Sequence, residues 1–141
     1  MSIQVVTHLN FQGQARAALA FYQSVFGGRL MQVTYAEFGR ALDPVDAERI
    51  VWGQVVAPSG FRIMAFDVAT GTPWRQGENA FFVSLRGSSE DEVRTLWQKL
   101  AQDASIVQAL APAQWSPLYG MLKDRFGVVW LVDLAAAEPA A

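Results

Sequence analysis

An internal repeat limits the folds open to this 141-residue chain, because its two halves share one predicted order of elements: strand, helix, strand, strand, strand. The segment Phe11-Gln12-Gly13 matches Leu85-Arg86-Gly87 at an offset of 74 residues, and Phe21-Tyr22 matches Leu96-Trp97 at 75. One such βαβββ unit is too small to cover its own sheet. We therefore predict an α+β fold in which two βαβββ repeats form a paired, curled mixed sheet around a cleft, with the helices outside.

Hydrophobic periodicity and turn residues predict the bounds of the elements. In the first unit we expect strands at 3–11, 30–37, 49–57 and 61–67, and a helix at 15–26 that Gly27-Gly28 ends. In the second unit we expect strands at 80–86, 106–111, 118–123 and 128–134, a helix after Ser88 or Ser89, and a loop at 112–117. The predicted organisation is a first unit at 1–69, a linker at 70–79, a second unit at 80–134 and a frayed tail at 135–141, in one domain overall.

Composition excludes several classes of function. The 11 basic and 13 acidic residues give a net charge of −2 without a basic cluster, which argues against nucleic acid as a partner. No apolar run approaches the roughly 18 to 20 residues of a membrane span. The chain has no Cys, hence no disulfide, thiolate nucleophile or Cys-ligated metal. The chain does not open on a signal peptide, so we expect a cytoplasmic protein.

Two segments resemble a known family. Residues 8–13, followed by 18–22 and 25–28, resemble the opening of the vicinal oxygen chelate superfamily, and 119–130 is similar to the closing hairpin of its PhnB-like branch. The superfamily includes glyoxalases, extradiol dioxygenases, and bleomycin- and fosfomycin-resistance proteins. The resemblance covers roughly residues 3–134 and implies the paired βαβββ cleft, usually as a homodimer. PhnB-like members are often labelled methyltransferase-like, but no Gly-rich nucleotide loop follows a strand and opens a helix here.

The superfamily's enzymes typically hold a divalent metal with His and Glu from the first and last strands of each unit. His8 lies at the first-strand position and is the only His, whereas the repeat carries position 8 onto Phe82. The last strands offer the apolar segments 64–66 and 130–132. The nearest carboxylates, Asp67 and Asp133, lie at strand ends, where they can point outward. We therefore expect no cofactor, with His8 as the only candidate ligand of a divalent metal.

The resemblance and the aromatic content together suggest a set of ligand-binding residues. If the cleft model holds, alternation places His8 and Asn10 on one face, where His8 would form hydrogen bonds or act in general acid/base chemistry, although a polar group near a sheet edge explains it equally. Trp52 and Trp130 fit a cleft lining or packing under a helix, and the loop residues Trp74 and Trp115 fit a lid or a dimer contact. The candidate ligand-binding residues are His8, Asn10, Trp52, Phe66, Phe82, Trp115, Tyr119, Met121 and Trp130.

These residues favour a binding protein of the glyoxalase/bleomycin-resistance type, in which an apolar, aromatic cleft holds a small apolar or aromatic molecule without metal chemistry. The alternative is a divalent-metal-dependent lyase, isomerase or dioxygenase of the same superfamily, which needs carboxylates beyond His8. A third interpretation is a structural module whose cleft is only a dimer core.

Overall fold

A computed structural model describes residues 2–39, 41 and 43–136 of the chain. The chain divides into two compact units at the bond between Gln76 and Gly77. Residues 70–76 of the predicted linker therefore belong to the first unit. Most of the predicted frayed tail, residues 137–141, lies outside the described residues. No helix in the described part of the chain is long and apolar enough to cross a membrane.

The first unit is a four-stranded mixed sheet with one helix. Its elements are β1 (Thr7–Phe11), α1 (Ala15–Phe26), β2 (Arg29–Thr34), a short 3-10 helix (Pro44–Asp46), β3 (Ile50–Val56) and β4 (Arg62–Asp67). The strand order is β1-β4-β3-β2, in which β1 runs parallel to β4 and the other pairs are antiparallel. The buried stripe of α1 includes Leu19 and Tyr22, and it packs on β3 and β4.

The second unit repeats this arrangement. Its elements are β5 (Val83–Gly87), α2 (Glu90–Leu100), β6 (Ser105–Ala113), β7 (Ser116–Lys123) and β8 (Val129–Leu134). The strand order is β5-β8-β7-β6, with β5 parallel to β8. Ser89 begins α2 as its N-cap, because its side chain accepts a hydrogen bond from the Glu92 amide. The predicted two-repeat α+β fold is confirmed.

The predicted loop at 112–117 is wrong. β6 extends to Ala113 and β7 begins at Ser116, so only Gln114 and Trp115 connect them. Pro112 is tolerated because β6 is an edge strand and its register with β7 shifts between Ala111 and Ala113. Ser116 Oγ lies 2.6 Å from the Leu118 carbonyl oxygen and 2.7 Å from the Leu134 carbonyl oxygen, so its single hydroxyl proton is shared between these two acceptors at the start of β7.

Strand pairing corrects the sequence alignment of the two units. The Val68 amide donates to the Phe11 carbonyl, and the Ala135 amide donates in the same way to the Gly87 carbonyl. Phe11 therefore corresponds to Gly87, and His8 corresponds to Ser84 rather than to Phe82. The sequence match placed Gly13 on Gly87, but Gly13 lies in a turn with a positive φ of 119° while Gly87 closes a strand.

Candidate functional site

In the first unit, α1 is the one α-helix among the described residues, and it covers one face of the sheet. Gly53 faces α1, since a Cβ added there would lie 2.3 Å from Leu19 Cδ1. Alternation then puts Trp52 and Gln54 on the opposite face. Strand register places further residues beside them. We call this surface the helix-free face; it comprises His8, Asn10, Met31, Val33, Trp52, Gln54, Met64 and Phe66.

The polar part of the helix-free face is a pair of exposed side chains on β1. His8 Nδ1 lies 2.9 Å from Asn10 Oδ1. An amide oxygen only accepts hydrogen bonds, so in the neutral tautomer that makes this bond Nδ1 carries the proton and Nε2 is an acceptor. The His8 ring also meets Phe66 edge to face, with 5.2 Å between ring centroids. The pair thus presents one fixed acceptor beside an aromatic ring.

A loop after β4 folds back onto the end of β1. The Trp74 indole N–H donates to the Asn10 carbonyl at 3.1 Å. Gln12 Nε2 lies 3.3 to 3.4 Å from the carbonyl oxygens of Val68, Ala69 and Thr72 and holds the loop in place. Trp74 therefore adjoins the polar pair. The sequence had marked it as a tryptophan in a Pro-containing loop but had not placed it in the site.

The sheet of the second unit also has a face on the side away from α2. Register places Tyr119 opposite Asp133 and Met121 opposite Leu131. Trp115, which is 63% exposed, meets Tyr119 edge to face at 5.2 Å. Arg86 donates two hydrogen bonds to the Asp133 carboxylate, and this bonding together with the charge of Asp133 raises the pKa of the Arg86 guanidinium.

The structure groups seven of the nine predicted ligand-binding residues on the faces or turns just described and separates two. Trp130 takes the second of the two places left open for it, packing under a helix: it is 2% exposed on the helix side of its sheet, and its indole N–H donates to buried Asp124 at 2.9 Å. Phe82 precedes β5 and is exposed. The others are His8, Asn10, Trp52 and Phe66 in the first unit, and Trp115, Tyr119 and Met121 in the second. Whether these seven contact a ligand stays a prediction.

Asp67 does not point outward as its place at a strand end suggested. Its carboxylate is 1% exposed and accepts hydrogen bonds from the amides of Gly13, Ala15 and Ile50 at 2.7 to 3.1 Å. The helix dipole favours an anion there, because Ala15 begins α1. Asp67 thus replaces the side-chain cap that Gln14 does not supply.

The metal-ligand set of the superfamily does not fit the residues present. Among the residues that the structure describes, no three His, Cys, Asp or Glu side chains lie close enough to hold a metal ion. His8 pairs with Met64 across the strands, and its counterpart Ser84 pairs with Leu131. Asp133 is already held by Arg86.

Asp46, buried in the short 3-10 helix, anchors the loop at Thr70. It accepts hydrogen bonds from the Thr70 amide at 2.9 Å and hydroxyl at 2.8 Å, and from Arg49 at 3.3 Å. Burial raises the pKa of the Asp46 carboxyl, but the two hydrogen bonds from Thr70 and the charge of Arg49 outweigh it and hold the pKa below its ordinary value of 3.8.

A lowered carboxyl pKa in the folded state stabilises the fold above the ordinary pKa, and this stabilisation is lost as the pH falls through the folded value. We expect Asp46→Asn to melt below the wild-type temperature at pH 7 and at pH 5. The difference should shrink only below pH 3.8. Melting curves of both proteins from pH 3 to pH 7 measure it, and a difference already lost at pH 5 would contradict the anchoring role.

Comparison with known proteins identifies relatives along nearly the whole chain. A family model described as 3-demethylubiquinone-9 3-methyltransferase matches residues 3–133. A crystal structure of protein PA1353 from Pseudomonas aeruginosa is 33% identical with a TM-score of 0.81, covering 94% of this chain and 98% of that one. A putative 3-demethylubiquinone-9 3-methyltransferase, PhnB protein, from Bacillus cereus is 25% identical with a TM-score of 0.73, covering 94% and 100%.

A more distant structure shares the fold. The glyoxylase/bleomycin resistance protein/dioxygenase domain from Frankia sp. EAN1pec superimposes with a TM-score of 0.63 at 12% identity, covering 96% of this chain and 99% of that one. The fold and the family match are consistent with the superfamily that the opening and closing segments resemble.

Proposed function

The chain belongs to the PhnB-like family described as 3-demethylubiquinone-9 3-methyltransferase, and from that premise we propose that it is a small-molecule-binding protein of the glyoxalase/bleomycin-resistance type. The proposed site is the helix-free face of the first unit. Its ligand is a small apolar or aromatic molecule with one hydrogen-bond donor.

The composition of this face is the observation that carries the proposal. Trp52, Met64 and Phe66 lie on it half-buried, so each still presents apolar surface, and His8 and Asn10 are exposed at its edge. Aromatic and thioether side chains bind flat apolar rings, and a few polar groups orient them. Of the polar groups, His8 Nε2 is the acceptor whose direction the bond to Asn10 fixes.

Binding on this face orients the ligand without chemistry on it. An aromatic ring lies against Phe66 and Trp52 and excludes water from them, while its hydroxyl donates to His8 Nε2. Exclusion of water strengthens that hydrogen bond. The geometry supports retention of the molecule, and the residues named here need no metal for it.

The turn between β1 and α1 does not support a nucleotide-type methyl donor. Such a site uses free backbone N–H groups at the start of a helix to hold phosphate or carboxylate groups. Here the amides of Gly13 and Ala15 donate to Asp67. Methyl transfer, which the family description names, therefore finds no support in this turn.

Calorimetric titration with 2-naphthol, a neutral ring bearing one hydroxyl donor, tests the proposal. We expect saturable binding to the wild-type protein and about tenfold weaker binding to Phe66→Ala, because the lost ring contact is worth about 1.4 kcal/mol. Phe81→Ala, which removes an almost fully exposed ring elsewhere, is the matched control and should bind as the wild type does.

Two results would contradict the proposal: no saturable binding, or equal affinities of Phe66→Ala and Phe81→Ala. The metal-dependent alternative makes a different prediction. Protein purified without chelator would then contain stoichiometric Ni, Zn, Mn or Fe that His8→Ala loses.

A further inference from the structure

A concave site lies beside the ends of β1 and β4, and its lining residue Trp74 borders the polar pair of the helix-free face. It is an open cleft of about 540 Å³, which is within the range of small-molecule pockets. We call it the Arg49 cleft. The lining residues are Gln12, Val45, Arg49, Thr70, Gly71, Thr72, Pro73 and Trp74.

Arg49 is the cation of this cleft, and its guanidinium is held in place. Nη1 lies 3.3 Å from Asp46 Oδ1 and 3.5 Å from the Thr70 hydroxyl. Asp46 is itself buried and bonded to Thr70, so it provides a rigid anchor. The Arg49 side chain nevertheless remains 27% exposed. A fixed, partly exposed guanidinium loses little freedom when it binds an anion.

On the other side of the guanidinium, the Nε and Nη2 atoms of Arg49 are available as hydrogen-bond donors. Nη2 and Nε lie 3.3 and 3.5 Å from the position of the Cβ that Gly13 lacks, so this glycine leaves them room. Within the described ranges, neither nitrogen has an acceptor among the hydrogen bonds of Arg49, which run from Nη1. Nε and Nη2 together form the pair of parallel N–H donors that matches a carboxylate.

The cleft also has an apolar side. Trp74 is half-buried, and its indole N–H is fixed on the Asn10 carbonyl. Pro73 and the exposed Val45 line the cleft with it. A ligand that contacts both the Arg49 guanidinium and the Trp74 ring needs a single acidic group and an aromatic ring. Because Asp46 already offsets the Arg49 charge, a compact dianion without a ring gains less than a monoanion that also contacts Trp74.

We propose that the Arg49 cleft binds a small aromatic carboxylate, with the carboxylate on Nε and Nη2 of Arg49 and the ring against Trp74. This site is separate from the one proposed on the helix-free face and does not depend on it. Its ligand is an anion, whereas the ligand proposed for the helix-free face is neutral. The residues whose signals or substitutions report binding are also different in the two tests.

The indole N–H signals of the five tryptophans in a ¹H–¹⁵N spectrum test the proposal, with Trp74→Phe assigning the Trp74 signal. Sodium benzoate should shift that signal saturably. Benzamide, which has the same shape without the charge, should bind at least tenfold more weakly, and inorganic phosphate should bind more weakly than benzoate. Once the Trp74 signal is assigned, this comparison of ligands uses the wild-type protein, so it remains decisive if the Arg49 variant described next fails to fold.

Arg49→Lys keeps the charge but removes the paired donors, and it should weaken benzoate binding at least tenfold. Arg94→Lys on the exposed side of α2 is the matched control and should leave it unchanged. Equal binding of benzoate and benzamide, a shift confined to other indoles, or wild-type affinity in a folded Arg49→Lys protein would overturn the assignment. A benzoate result of either kind leaves the 2-naphthol test of the helix-free face unaffected.

Discussion

Asp67→Ala should lower the free energy of unfolding by about 3 kcal/mol, because it leaves two buried amides and one part-buried amide without an acceptor, and each buried one costs about 1 to 3 kcal/mol. The three amides belong to Gly13, Ala15 and Ile50. One carboxylate thus joins the turn after β1, the first residue of α1 and the first residue of β3. Urea unfolding followed by tryptophan fluorescence measures the loss.

Two further variants separate this role from a general effect of charge. Asp67→Asn keeps an oxygen for Gly13 and Ala15 but turns an N–H₂ group toward the Ile50 amide, so its loss should lie between zero and that of alanine. Glu78→Ala removes an exposed acid and should change stability by less than about 0.5 kcal/mol. Equal losses in Asp67→Ala and Glu78→Ala would contradict the capping role.

Gly28→Ala should destabilise the protein by about 4 kcal/mol, the sum of a strained backbone and a steric overlap. Gly28 has a φ of +87°, and an added Cβ would lie 1.9 Å from the Val56 carbonyl oxygen. That oxygen belongs to β3, which pairs with β2 at Arg29. Backbone on both sides leaves no flexible side chain to give way.

Gly60→Ala is the control for the backbone term alone. Its φ is +102°, but nothing lies within 4 Å of the added Cβ. It should cost about 1 to 2 kcal/mol in the same urea experiment. If Gly28→Ala cost no more than Gly60→Ala, the close contact with Val56 would not exist in solution.

The elements of the fold were largely predictable because their signals are local. The apolar stripe of 15–26 and the Gly27-Gly28 stop gave α1 its bounds. The turn between β6 and β7 was predicted wrongly, because Pro112 and Pro117 indicate a loop unless β6 is known to be an edge strand. That information lies in the strand order, which only the folded sheet provides.

The candidate site was only partly predictable for a related reason. Alternation shows that His8 and Asn10 share a face, but it does not show which face a helix covers. The sequence therefore left Trp130 open between a cleft lining and packing under a helix, and the structure places it on the α2 side of its sheet. Asp67 was misplaced because its partners are separated from it by 17 to 54 residues in sequence.

The signal of the single histidine gives the most direct measurement of the proposed function. A ¹H–¹⁵N spectrum of the His8 imidazole is recorded during titration with 2-naphthol, once in buffer and once with excess EDTA. We expect the Nε2 signal to shift saturably, with the same dissociation constant in both titrations. An imidazole that does not respond, or binding that EDTA abolishes, would contradict a metal-free aromatic site on this sheet.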